Sequence, residues 1–211
     1  LAATVIYGEA TPFRGWQERI LARLYAVLYS KGQLQLRAIL ARPRGRLLDV
    51  GCGNGHFLLN MRDFGWEVEG VEFSQEIAQA VAKEHGLWVH PGTIFEADLP
   101  ARSFDVVTLW HTLEHVLDPV DVLRECHRLL KPSGLLVLEV PNADSLGARV
   151  FGRVWYSWMP PIHRAHYSAS TIRLLLDRAG FELQGQVQTR NTGSWVDGMS
   201  YALGGGRRFA G

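Results

Sequence analysis

The spacing of apolar positions changes period once along this chain. From Trp16, apolar residues recur at Ile20, Leu21, Leu24, Val27 and Leu28, one helical stripe. Gly32 interrupts it, a shorter helix carries Leu36, Ile39 and Leu40, and Pro43 with Gly45 ends that helix. Beyond this point, short apolar runs alternate with helical stripes. Arg46–Val50, Trp66–Glu72, Leu87–His90, Phe104–Trp110, Leu135–Val140 and Phe181–Gln188 read as six strands. His56–Phe64 reads as a helix closed by Gly65, and Ser74 caps a helix expected to bury Ile77, Ala80 and Val81. Asp118 caps another with Pro119 at its first position, closed by Lys131-Pro132, and Ser170–Ala179 ends at Gly180.

Strands separated by single helices pair in parallel through right-handed crossovers, so the expected fold is α/β, a Rossmann-like doubly wound sheet with N-terminal helices. The first, fourth and fifth strands are apolar on both faces, as central parallel strands must be. The sixth alternates Phe181, Leu183 and Val187 with Glu182, Gln184 and Gln188, which predicts one wet face and a place toward an edge.

Composition narrows this picture only a little. A chain of 211 residues with 47% hydrophobic and 20% charged residues suits one globular domain. No apolar run approaches the roughly 20 residues that cross a bilayer, and no secretory signal pattern opens the sequence. Cys52 and Cys126 form neither a disulfide framework nor a metal-ligand spacing, so a reducing, cytoplasmic setting is the default. The net charge of +1 conceals segregation. Residues 1–47 carry eight bases against two acids, residues 48–144 six against sixteen, and residues 145–211 eight against three. An acidic middle between basic flanks argues against a uniform nucleic-acid-binding face.

Candidate chemistry gathers where the first strand ends. Leu47-Leu48-Asp49-Val50-Gly51-Cys52-Gly53-Asn54-Gly55 runs from a strand through a glycine loop into a helix, the place where open α/β sheets bind ligands. The glycines let the main chain turn and approach a ligand without Cβ clashes. Glu72 closes the second strand and can accept from two ribose hydroxyls. A nicotinamide dinucleotide requires G-x-G-x-x-G, but His56 occupies the position of the third glycine. Asp49 would repel a phosphate and could favour an ammonium group, which points to S-adenosylmethionine, a nucleoside joined to a cationic amino acid.

At these residues the chain resembles the class I S-adenosylmethionine-dependent methyltransferases, small-molecule type, similar to the quinone-biosynthesis group. Residues 48–55 look like the first motif, Val71-Glu72-Phe73-Ser74 the second, and Ala97-Asp98-Leu99-Pro100 the third. Phe104-Asp105-Val106-Val107 through Leu113-Glu114-His115-Val116 and Asp118-Pro119 resembles the fourth, and Leu130–Leu136 the turn into strand five. The resemblance implies that Asp49, Gly51, Cys52, Gly53, Gly55, Glu72, Phe73, Asp98, Leu99, Trp110 and His111 line the cofactor, S-adenosylmethionine, or its product S-adenosylhomocysteine. It also implies a strand order 3-2-1-4-5-7-6 with an antiparallel seventh strand. No convincing seventh strand follows Gln188, so that strand is expected to be absent from this chain, which reads as part of a longer protein. Residues 1–44 are expected to form a helical cap, and residues 45–211 the cofactor-binding domain, with 145–168 inserted as a substrate cover.

Methyl transfer is an in-line displacement that requires collinear reacting atoms in a dry pocket, and a hydroxyl nucleophile also wants a base. His111 at the mouth of strand four and His166 in the cover are the candidate catalytic residues. His115 reads as a structural tether. Trp155, Trp158, His163 and His166, beside Arg149, Arg153 and Arg164, are expected to face a small-molecule acceptor, anionic or lipid-like. The Trp16–Tyr29 helix forms the opposite wall in this reading, with Tyr7 and Phe13 reaching the cofactor from there. Some quinone-pathway relatives use a divalent cation held by acids at positions matching His111 and Glu114. With His111 in place of the first acid, a His/Glu/His set could hold a softer metal, but a metal-free site is the expectation. The rival readings are a nicotinamide-dependent oxidoreductase and a non-catalytic cofactor-binding module.

Overall fold

A computed structural model of the chain describes residues 2–7 and 34–188. Seven strands form one sheet: β1 (Ala2–Tyr7), β2 (Arg46–Val50), β3 (Glu67–Glu72), β4 (Trp88–Pro91), β5 (Phe104–Trp110), β6 (Leu130–Glu139) and β7 (Glu182–Gln188). Their order is β4-β3-β2-β5-β6-β1-β7, and every neighbouring pair is parallel. The helices are α1 (Leu34–Leu40), α2 (His56–Asp63), α3 (Gln75–His85), α4 (Pro119–Leu129), α5 (Leu146–Phe151) and α6 (Ala169–Arg178). Counted from β2, the order is the expected 3-2-1-4-5 with the sixth strand beyond it. The chain leaves β2 in one direction and returns at β5 in the other, so the switch point lies between these two strands.

Periodicity placed the core well. Leu47 of β2, Val106 of β5 and Leu135 and Val137 of β6 pack on one face with Ile39, Leu58, Met61 and Val81. Their neighbours Leu48, Val107, Leu136 and Leu138 pack on the other face with Leu123, Ile172 and Leu176. Apolar side chains on both faces are what central parallel strands require. β7 alternates exposed and half-buried residues and lies at the sheet edge, as its sequence indicated. The caps also fall as expected, with Ser74 Oγ accepting from the Ile77 N–H at 3.3 Å and Asp118 Oδ1 from Val120 and Asp121 at 3.1 Å. The buried face of α3 is shifted, however. Ala78 and Val81 enter the core, while Ile77 and Ala80 are exposed.

The slot between β6 and β7 departs from expectation. Residues 2–7, assigned to a helical cap, form β1 and fill that slot in parallel, with Ala2 beside Leu135 and Ile6 beside Glu139 and Val187. Both flanking strands would otherwise present unpaired N–H and C=O groups, and Thr4-Val5-Ile6-Tyr7 has the β-branched and aromatic make-up that suits a strand. Phe13 and the Trp16–Tyr29 stripe lie outside the described residues, as does the chain after Gln188 where a seventh strand was sought.

Candidate functional site

Three glycines turn the chain from β2 into α2, with φ of 76°, 51° and 73° at Gly51, Gly53 and Gly55. They are needed for two different reasons. A Cβ on Gly51 would stand 2.4 Å from Thr112 Oγ1, and one on Gly55 would stand 2.7 Å from Val81 Cγ1. A Cβ on Gly53 would meet nothing within 4 Å. Gly51 and Gly55 are therefore glycines for packing, whereas Gly53 faces open space where a ligand can come close to the main chain. Beneath it, the Glu72 carboxylate accepts from the Gly53 N–H at 2.9 Å and from the Ser74 N–H at 3.0 Å. The carboxylate that ends β3 is thereby locked against the loop that follows β2. Phe73, the next residue, is 80% exposed, so its ring is available to cover a planar group. Cys52 is buried beneath the loop, where desolvation and the charges of Asp49 and Glu72 push its thiol up to about 12.

Asp49 lies inside the sheet, 2% exposed. Thr108 of β5 donates to its Oδ1 at 2.7 Å. Burial pushes this carboxyl up to about 7, against the hydrogen bond from Thr108 and with help from the Glu72 charge. Such a group asks for a cation nearby. Asp98 sits exposed in an unusual left-handed conformation, φ 46°, and the neighbouring Leu99 is buried. Arg128 of α4 anchors this turn by donating to the Leu99 carbonyl at 2.7 Å. Trp110 ends β5 against Phe57 of α2, with its Nε1 buried and lacking a hydrogen-bond partner among the described residues.

His111 follows directly, also left-handed at φ 51°. Its Nδ1 is 3.3 Å from Glu114 Oε1, and its Nε2 is 3.5 Å from Glu139 Oε1. Burial disfavours a charged ring here, but the two carboxylates outweigh it and raise the imidazole to about 10. At neutral pH His111 is thus a cation without a lone pair, so the geometry disfavours the base role considered for it. His166 has the opposite character. Desolvation and the charge of His163 lower its imidazole below the ordinary range, despite Glu114, and its ring stands edge-on to Trp158 at 4.6 Å.

The cover, residues 145–168, is tied to the turn after β5 by main-chain and side-chain hydrogen bonds. Arg164 N–H donates to the Glu114 carbonyl at 2.8 Å, and the Tyr167 hydroxyl to the Leu113 carbonyl at 2.9 Å. His115 Nδ1 meets the Ile162 carbonyl at 3.1 Å, the tether read from the sequence. Trp155 is buried inside the cover edge-on to Trp158, so it shapes this segment from within. Arg149, Arg153 and Arg164 are exposed, as are Leu146, Val150 and Ile162. The structure thus brings the glycine loop, Asp49 and Glu72 together at one end of the sheet, and His111 together with Glu114 and Glu139. Sequence reasoning missed Thr108 and Glu139 as site residues. Their signal was a polar residue within the mainly apolar runs Val106–Trp110 and Leu135–Val140.

Comparison with known proteins adds the following. Residues 18–186 match the family described as "Methyltransferase domain". A probable S-adenosylmethionine-dependent methyltransferase of Mycolicibacterium smegmatis is 28% identical over 87% of this chain and 67% of its own length. A ubiquinone biosynthesis O-methyltransferase of Xanthomonas axonopodis is 32% identical over 74% of this chain and 72% of its own. The chain spans about half the length of other relatives with that name, 45% in Haemophilus ducreyi and 54% in Xanthomonas oryzae. Among solved structures, a methyltransferase of Archaeoglobus fulgidus superposes with a TM-score of 0.58 at 28% identity, over 81% of this chain and 71% of that one. One from Thermotoga maritima, a possible histamine N-methyltransferase, gives 0.58 at 26%, over 79% of each chain.

Proposed function

Because this chain belongs to the methyltransferase-domain family, as a class I S-adenosylmethionine-dependent methyltransferase, we propose that it methylates an oxygen atom of a small-molecule acceptor. The oxidoreductase and non-catalytic readings fall away with the family. Oxygen is favoured by the relatives named as O-methyltransferases and by the neutral imidazole of His166 beside Trp158, which suits a hydroxyl that must lose its proton. The arginines and exposed apolar side chains of the cover favour an anionic or lipid-like acceptor.

Bound S-adenosylmethionine supplies an electrophilic methyl group on a sulfonium sulfur. The chain's own residues do the rest by holding and orienting. Glu72, fixed by Gly53 and Ser74, accepts from the ribose hydroxyls, and Gly53 lets the ligand lie close to the main chain. Phe73 covers the adenine, with Asp98 and Leu99 along its edge. Asp49 draws the ammonium group, and the main chain at Trp110 and His111 receives the methionine end. His111, held as a cation, positions the turn through Glu114 and Glu139, and His166 would take the proton of the acceptor's hydroxyl.

The observation that carries this reading is the Glu72 carboxylate locked below the open side of Gly53. Calorimetry with S-adenosylhomocysteine should show Glu72→Ala weakening binding more than tenfold, since hydrogen bonds to a charged group contribute about 1.5–3 kcal/mol. Unchanged affinity would remove the ribose assignment.

A further inference from the structure

The ladder between β2 and β5 stops short of the site it leads to. Its last rung is Asp49 beside Thr108, one residue before Val50 ends β2 and two before Trp110 ends β5. There the strands part at the switch point, one running into the glycine loop and the other into the turn Leu113–His115. The peptide that joins Val50 to Gly51 carries β2 into the loop. Its N–H donates to the Val71 carbonyl of β3 at 2.7 Å, so the β3 side is held. In a trans peptide the carbonyl points the opposite way, toward β5. The ladder supplies it no donor, since Val50 lies past the last rung.

Thr112 takes over the missing rung. Its hydroxyl donates to the Val50 carbonyl at 2.9 Å and lies 3.2 Å from the Trp110 carbonyl, between the last carbonyls of β2 and β5. Two further observations separate it from an ordinary turn residue. It stands at the N-cap of Leu113–His115, where a threonine side chain commonly accepts from a main-chain N–H ahead of it, yet it makes no such bond. The local cap is given up for a carbonyl 62 residues away. Its side chain also fills the space that a Cβ on Gly51 would need, 2.4 Å from Oγ1 and 2.8 Å from Cγ2.

We infer that Thr112 is a positioning residue for the cofactor, whose hydroxyl ties the glycine loop to the turn after β5 and so sets the separation of the two halves of the cofactor site. The inference rests on the placement proposed above, with the ribose at Glu72 and the methionine end at the main chain of Trp110 and His111. The nucleoside half is anchored on β3, where the Val71 carbonyl accepts from Gly51 and Cys52 and the Glu72 carboxylate from Gly53. The methionine half belongs to the β5 turn. A ligand that spans both halves gains from having their separation fixed in advance, whereas a nucleoside alone engages only the first.

That difference supplies a test that does not use turnover. Thr112→Val keeps the shape of the side chain and removes the hydroxyl, and Thr112→Ser keeps the hydroxyl and removes the methyl. Calorimetry on the intact chain should show Thr112→Val weakening S-adenosylhomocysteine about tenfold, as the loss of one hydrogen bond allows, with adenosine affinity changed by less than about twofold. Thr112→Ser should bind S-adenosylhomocysteine within about twofold of the wild type. Should Thr112→Val fail to fold, as judged by circular dichroism, Thr112→Ala carries the same comparison. Wild-type S-adenosylhomocysteine affinity in a folded Thr112→Val or Thr112→Ala chain overturns the proposal. So does an equal loss for both ligands, which marks a general loosening, or Thr112→Ser binding as weakly as Thr112→Val. A wild-type chain that binds no S-adenosylhomocysteine overturns the cofactor reading and this proposal with it.

Discussion

Asp49 and His111 occupy comparable positions, the first buried and the second half-buried at the carboxyl ends of central strands, and both titrate above their ordinary range, yet for opposite reasons. Asp49 has one neutral partner, Thr108, and a second carboxylate nearby, so burial decides and its charged form is penalised. His111 has Glu114 on one nitrogen and Glu139 near the other, and their charges override the same penalty. Burial alone therefore does not set charge in this site; the sign and number of neighbours do. The groups that act on Asp49, Thr108 and Glu72, include no cation. His111 already is the cation its two acids need.

Replacing each residue should move stability in opposite directions. The largest effect is expected for His111→Ala, which leaves Glu114 and Glu139 facing each other without their counter-charge. Breaking a buried pair in this way destabilises by roughly 3–5 kcal/mol, measurable by urea unfolding at pH 7. The raised imidazole also fixes the pH window. Its contribution is fully present below pH 6.5 and is lost as pH rises through about 10, so the variant should lack that part of the wild-type decline. A loss below 1 kcal/mol would mean that His111 is not charged in the folded protein.

Asp49→Asn comes next and has the opposite sign. Its carboxyl, raised from 3.8 to about 7, contributes stability below pH 3.8 that is lost as pH rises through about 7. At pH 8 the ligand-free wild type therefore carries a strained charge, and the amide should stabilise it by on the order of 2–4 kcal/mol while weakening S-adenosylmethionine binding. A destabilised variant would break the contrast with His111.

The smallest effect concerns affinity. If the ligand's ammonium group favours ionised Asp49, S-adenosylmethionine should bind up to about tenfold more tightly at pH 8 than at pH 6, with proton release. The Asp49→Asn variant should lose that dependence. A flat profile in the wild type would detach Asp49 from the ammonium group.

How far the sequence could be read depended on whether a feature was local. The glycine loop, the Glu72 position, the Ser74 and Asp118 caps and the two-faced apolar strands arise from short-range sterics and periodicity, and all were legible. The α3 face was misjudged by a fraction of a turn, which buried Ala78 in place of Ile77. The cover yielded its composition but not the burial of Trp155, because an irregular segment has no period to read. The partners of His111 were hidden for a different reason: Glu139 comes from the neighbouring strand, and β5–β6 register alone brings it beside Trp110 and His111.

By itself, then, the sequence determined the crossover topology from β2 to β6, the glycine loop and the acid that ends β3, because each follows from chain geometry within a few residues. Only the tertiary structure decided three further things. It placed residues 2–7 in parallel between β6 and β7, where two strand edges needed a partner. It gave His111 two carboxylates and Asp49 a second acid as neighbours, since charge in such a site depends on neighbours from other strands. It also brought His163 to Glu114 and His115, a proximity created by the cover folding back on the loop after β5 and invisible to any spacing along the chain.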